Sequence, residues 1–318
     1  MTEDRRSDSE TSSAAEGAED ATPRRGATVL RFFVLPLAVV GTALIIFLVF
    51  NLITFERRTP ADYLAEVRGG TANRRWQAAF ELSREVARIK PGPEREALAG
   101  ETLRLFDSLT GKRAEDVRVR RYLALVLGKL QDRAAVSSLI TAVKDPDSET
   151  SLYAVWALGM IGDPSAVDAV LESSLSDDAG ARKMAAYVLG RLGDRRAIPR
   201  LRVLLEDSVA DVRWNAAISL ASLGDGSGLP VLRSVVDRDA LARQAALTAD
   251  QSEVAIVGAA KAIALLKDRE SLALLEKVAR EDPNLRVRAA ARAAVDAIRG
   301  SDAPERSSRL NVERSESV

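Results

Sequence analysis

Leu158–Asp163 reads LGMIGD, and 31 residues later Leu189–Asp194 reads LGRLGD. The same block stands at Leu127–Asp132 (LGKLQD) and Leu220–Asp225 (LASLGD), so the 31-residue spacing occurs three times running. A related block, Ile263–Asp268 (IALLKD), follows after 43, as though one unit held a 12-residue insertion between Asp237 and Ile256. Self-similarity at a fixed period of this length marks an array in which each repeat is one supersecondary unit.

Each block closes one helix and opens the next. Gly162, Gly193 and Gly224 suit the left-handed position that ends a helix, and the Asp after each is placed to cap the following one. Pro164 fits a first helical position. Apolar residues then recur at helical spacing, as in Val167, Val170, Leu171 and Leu175, or Ile198, Leu201, Leu204 and Leu205. A second acidic or Pro turn follows, at Asp145 to Asp147, Asp177 and Asp178, Glu206 and Asp207, and Asp282 with Pro283. The unit is therefore helix, turn, helix, turn. A lone hairpin of this size leaves its apolar face bare unless the next one stacks on it, so the array predicts a solenoid. The second helix leads with Arg75, Arg120, Arg182, Arg213 and Arg288, with Ser151 and Ile256 in the two remaining copies. Alanine pairs follow (Ala78 and Ala79, Ala185 and Ala186, Ala216 and Ala217), where small side chains let neighbouring helices approach.

Composition agrees. Aromatics are only 4% of the chain, which favours helices packed through aliphatic side chains over a β-sandwich. With 46 basic against 46 acidic residues, no global field draws the chain to nucleic acid, and that partner is disfavoured. There is no Cys and no His, which removes disulfides, thiolate and imidazole metal ligands, Cys nucleophiles and His-assisted catalysis. No catalytic, metal or cofactor-binding residues are assigned, and no cofactor is expected.

Residues 1–26 and 301–318 are polar and aperiodic and read as disordered tails. From Phe32 to Phe50 every residue but Thr42 is apolar or small, and the run continues into Phe55. Residues 29–55 thus read as a single transmembrane helix, longer than the apolar core of a cleaved signal peptide. The basic residues on its two sides (Arg24, Arg25 and Arg31 against Arg57, Arg58 and Arg68) balance, so the positive-inside rule assigns no orientation. Thr59, Pro60, Ala61 and Asp62 then read as a helix start, with a hydroxyl cap, Pro at the first position and an acid behind it.

The pattern of Val212 and Arg213, Ala216 and Ala217, Leu220, and Leu223, Gly224 and Asp225 resembles the HEAT-like repeat named after phycobilisome lyases. The resemblance implies an all-α, right-handed α-solenoid of about seven HEAT-like hairpins over residues 59–300, the end copies degenerate as caps. A related branch, similar to deoxyhypusine hydroxylase, holds a di-iron centre through His-Glu pairs; a chain without His has no such centre.

Recurring Asp and Arg at the turns are what caps and stacked ion pairs require, whereas an active site needs a unique constellation. The aromatics are less regular. Counted from the leading residue of each second helix, Trp76 and Trp214 fall at position two, Trp156 and Tyr187 at position six, and the two positions share a helical face. The resemblance places that face on the concave side. Two readings of these rings stay open: docking of a partner or filling of gaps between helices. Trp76, Trp156, Tyr187 and Trp214, with Lys183 and Arg121 at the rim, are the candidate partner-binding residues. The expected function is a single-pass, membrane-anchored, non-catalytic scaffold that binds a protein partner. The alternative is an accessory or lyase-like subunit acting on a bound cofactor. The insertion near 240–255, which holds Gln251, Ser252 and Glu253, is read as a loop projecting from one edge.

Overall fold

A computed structural model of the chain describes residues 35–54, 58–109 and 113–300. The chain divides into two units, Met1–Arg57 and Arg58–Val318. Both expected tails lie outside the described residues.

In the first unit one helix is described, α1 (Leu35–Thr54). Its described side chains, Thr42 apart, are apolar and mostly exposed, Leu37, Phe47 and Phe50 among them. Of the span expected over 29–55, residues 29–34 and 55 lie outside the described part. Among the described residues no helix is long and apolar enough to cross a membrane. That overturns the expected single-pass membrane localisation.

The second unit is all-α among the described residues and pairs its helices into seven hairpins. The first helices are α2 (Pro60–Gly69), α4 (Pro93–Ser108), α6 (Val136–Ala142), α8 (Val167–Ser173), α10 (Ile198–Leu204), α12 (Leu229–Val236) and α15 (Leu272–Glu281). The second helices are α3 (Ala72–Glu85), α5 (Ala114–Leu130), α7 (Ser148–Ile161), α9 (Ala179–Leu192), α11 (Ala210–Ser222), α14 (Ala249–Leu265) and α16 (Leu285–Gly300), with a short α13 (Arg238–Gln244) inserted before α14. Each second helix packs directly on the next, from α3 through to α16, while successive first helices touch little. The second helices therefore form the more closely packed of the two layers.

Local chemistry sets the boundaries. At α2 Thr59 caps the first turn in a reciprocal box with Asp62. Gly162, Gly193 and Gly224 end their helices in the left-handed region at φ 72°, 73° and 75°, where a Cβ is penalised. Gln131 and Lys267 hold the same place in the other two copies at φ 54° and 53°. Asp132, Asp163, Asp194 and Asp225 each accept a hydrogen bond from the backbone N–H two residues on, opening a short 3-10 turn that leads into the next first helix.

Between repeats, Arg75 pairs with Asp116 (2.9 Å), Arg120 with Asp145 (3.2 Å) and Arg182 with Asp207 (2.7 Å), all partly buried. The recurring charges are thus caps and rungs. Where Ser151 replaces the arginine, its hydroxyl donates instead to the Val143 carbonyl.

The glycine inside each LG block has its own role. An ideal Cβ on Gly128 would stand 2.6 Å from the Cα of Ala157, and one on Gly190 2.8 Å from the Cα of Ser219. Real side chains do not approach backbone so closely, so Gly128 and Gly190 let α5 pack on α7 and α9 on α11 backbone to backbone, while Gly159 makes room for the Val188 side chain.

Candidate functional site

The layer of second helices presents position six of each outward and buries the alanine pairs beneath. Ala185, Ala186, Ala216 and Ala217 are fully buried, and one helical turn away the larger residues of the same helices are left at the surface. Between α7, α9, α11 and the start of α14 this produces a groove of about 660 Å³. Trp156, Tyr187, Met184, Trp214, Ile218 and Val254 form its apolar lining; Lys183, Asp211, Asn215, Asp250 and Gln251 supply the polar groups. Four of the six candidate residues therefore meet in one place.

They do not play equal parts. Tyr187 is 42% exposed and Val254 72%, so apolar surface faces outward. Trp214 is only 7% exposed, and its Nε1 donates to Gln244 Oε1 at 3.4 Å; it is a floor packed under the insertion. Trp156 lies half-buried, its ring within 3.2 Å of where a Cβ on Gly128 would stand. Lys183 reaches Asp211 at 3.3 Å across a well-exposed pair, leaving both free to exchange partners. Asp250 makes no ion pair among the described residues.

The other two candidates lie elsewhere. Arg121 is held by Asp147, its Nε 2.7 Å from Oδ2, and by Glu149. That hydrogen bond, first among the causes, together with those from Thr150, holds the Asp147 carboxyl down at about 2 from its ordinary 3.8. Trp76 lines a second groove, also about 660 Å³, with Arg58, Tyr63, Glu66, Arg74 and Phe80. A row of rings leads away from this second groove. Phe80 meets Tyr122 edge-on at 5.3 Å, and Tyr122 neighbours Tyr153, whose hydroxyl pKa is raised by burial first and by Glu149 and Tyr122 after it.

Sequence reading missed Phe80, which obeys the position-six rule already applied to Trp156 and Tyr187, and missed Tyr122 and Tyr153 one place beyond position two. It also misplaced the insertion. Residues near 240–255 are not a loop projecting from an edge but α13, a short link and the first turns of α14, which supply Leu247, Asp250, Gln251 and Val254 to the groove wall. Among the described residues no group of His, Cys, Asp and Glu is placed to hold a metal ion.

The family model for HEAT repeats matches residues 105–186 and 171–250. No curated protein matches the chain. Among solved structures, the complex of CpcE and CpcF of phycocyanin lyase from Nostoc sp. PCC7120 aligns at 21% identity and a TM-score of 0.51, over 77% of this chain and 96% of that one. A designed armadillo repeat protein in complex with the peptide (KR)4 aligns at 17% identity and 0.41, over 75% and 98%. Human deoxyhypusine hydroxylase aligns at 17% identity and 0.34, over 76% and 96%. Residues 105–250 thus carry HEAT repeats, and the second unit is an all-helical solenoid among the described residues, a fold that the lyase complex also shows.

Proposed function

We propose that this chain is a non-catalytic docking scaffold whose layer of second helices takes an extended segment of a protein partner. One observation carries the reading: Trp156, Lys183, Tyr187 and Trp214 converge, with the insertion as a fourth wall, on a single groove with outward-facing apolar surface. A long shallow groove built from stacked helices suits a polypeptide better than a small substrate, and exposed Trp and Tyr are residue types enriched where partners bind. Lys183, Asp211 and Asp250 add groups for orienting the segment.

The test is selection of random displayed peptides on the purified full chain, followed by affinity measurement on variants. Tyr187→Ala removes an exposed ring, so thermal stability should hold while binding weakens about tenfold. Trp214→Ala is unsuitable alone, because emptying a buried indole site costs about 3–5 kcal/mol of stability. Peptides that bind Tyr187→Ala and Trp156→Ala as tightly as the wild type would defeat the proposal. A second reading, an accessory subunit of an enzyme acting on a bound cofactor, draws on the likeness to the CpcE–CpcF complex. A visible chromophore co-purifying with the chain would favour it.

A further inference from the structure

Trp156, Tyr187 and Ile218 stand 31 residues apart, so they hold the same place, position six, on α7, α9 and α11. Those helices pack as direct neighbours, and the three side chains line one groove. Packed helices lie about 8–10 Å apart, so the groove offers an apolar contact at that interval across three helices. The column stops at α14, where position six is Lys261.

This interval selects the conformation of an occupant that crosses the helices. A β-strand returns a side chain to one face every two residues, about 7 Å, and an α-helix every turn, about 5 Å. Polyproline II returns one every three residues, about 9 Å, in step with the helices.

Hydrogen bonding points the same way. Trp156 Nε1 makes no hydrogen bond among the described residues and, unlike Trp76 Nε1, is not closed off from solvent. The Tyr187 hydroxyl is likewise unengaged among the described residues, on an exposed side chain. Both can donate to backbone carbonyls, which polyproline II leaves unpaired. The walls are helices whose own backbone groups are already bonded. An occupant rich in proline, which has no N–H to satisfy, therefore loses least on entering. The charge of the groove is one-sided as well, with Asp211 and Asp250 against Lys183. Lys183 is held by Asp211 at 3.3 Å, while the exposed Asp250 has no ion pair among the described residues.

We infer that the occupant of this groove is a proline-rich segment in the polyproline II conformation, with proline or another apolar residue at every third position and a basic side chain for Asp250. The inference rests on the docking reading above and names the chemical class of its ligand. Prolines stack on the Trp156 and Tyr187 rings, the indole N–H and the phenolic hydroxyl donate to carbonyls between them, and the preformed conformation lowers the entropy lost on binding.

The test takes peptides enriched from a random displayed library on the full chain and scans each binder with single alanine substitutions, affinity read by fluorescence anisotropy. Sensitive positions should recur every third residue, with proline prominent among them, each costing about tenfold. Changing the peptide's basic residue to glutamine should weaken binding to the wild type about threefold and leave binding to Asp250→Asn unchanged. Trp156→Phe, which keeps a ring and removes the N–H, should hardly move the melting midpoint and should weaken binding about fivefold. If binders depend on Tyr187 but are sensitive at alternate residues, or at the three- and four-residue spacing of a helix, this inference is overturned and the docking reading survives. It is overturned equally if the enriched peptides lack proline, or if replacing the basic residue changes nothing. If no peptide is enriched, or none depends on Tyr187, both fall together.

Discussion

Lys267 sits at φ 53° where three other repeats place glycine. An L side chain in the left-handed region is strained, so Lys267→Gly should raise stability by about 0.5–1 kcal/mol, the relief outweighing the entropy that glycine loses on folding. A shift of the chemical denaturation midpoint at unchanged slope is the check. The opposite substitution at the glycine column should harm. A methyl group on Gly128 meets the Ala157 backbone rather than a flexible side chain, so Gly128→Ala should cost about 2 kcal/mol despite alanine's better helix propensity. A Gly128→Ala variant as stable as the wild type would show that the seam relaxes freely. That column was legible in the repeated LG blocks, but spacing tells only that a residue recurs. Whether it ends a helix or admits a neighbour depends on which side of the helix it faces.

Among the elements, the insertion shows where repeat logic stops predicting and what replaces it. Position 256 of the pattern is Ile256, which gives the repeat no arginine for the acidic turn at Asp282. Arg238, at the start of the inserted α13, reaches that carboxylate at 2.9 Å instead. Asp282 is buried, and Arg238→Ala, by leaving it without its cation, should cost about 2 kcal/mol in thermal or denaturant unfolding. The periodicity fixes the seven hairpins and their caps because those depend on neighbours along the chain. The contents of the extra residues depend on contacts with α11 and α15 that no period encodes. The α5–α7 seam supplies a titratable rung. Arg121 depresses the Asp147 carboxyl to about 2 from 3.8, so the folded form favours the ionised acid. That stabilisation is complete above about pH 4 and is lost as pH falls through about 2; it amounts to roughly 2 kcal/mol. Asp147→Asn should therefore lower stability at neutral pH and converge with the wild type near pH 2.

At the scale of the whole molecule, the absence of histidine leaves no ordinary side chain titrating between about pH 5 and 8. Stability and peptide affinity should be flat across that range. Below it, Asp163, Asp194 and Asp207 are held under their ordinary value with Asp147, by Ser165, Arg196 and Arg182 respectively, and the melting temperature should fall in acid. A melting curve that steps near neutrality would contradict this. Fold class was readable from the chain because a solenoid is built from contacts between sequence neighbours. The groove was readable only in part: Trp156, Lys183, Tyr187 and Trp214 follow the period, while its fourth wall is inserted sequence.

The glycine column has a mechanical consequence. Backbone-to-backbone seams at Gly128 and Gly190 resist opening, since any hinge there must break many close contacts at once. The next position in the column is Ala221, and α11 and α14 pack less extensively than α9 and α11 do. The α11–α14 junction, directly under the groove, therefore yields more readily than the α5–α7 and α9–α11 seams. Amide hydrogens at the start of α14 should exchange faster than those of α7 and α9, and slow when a peptide is bound.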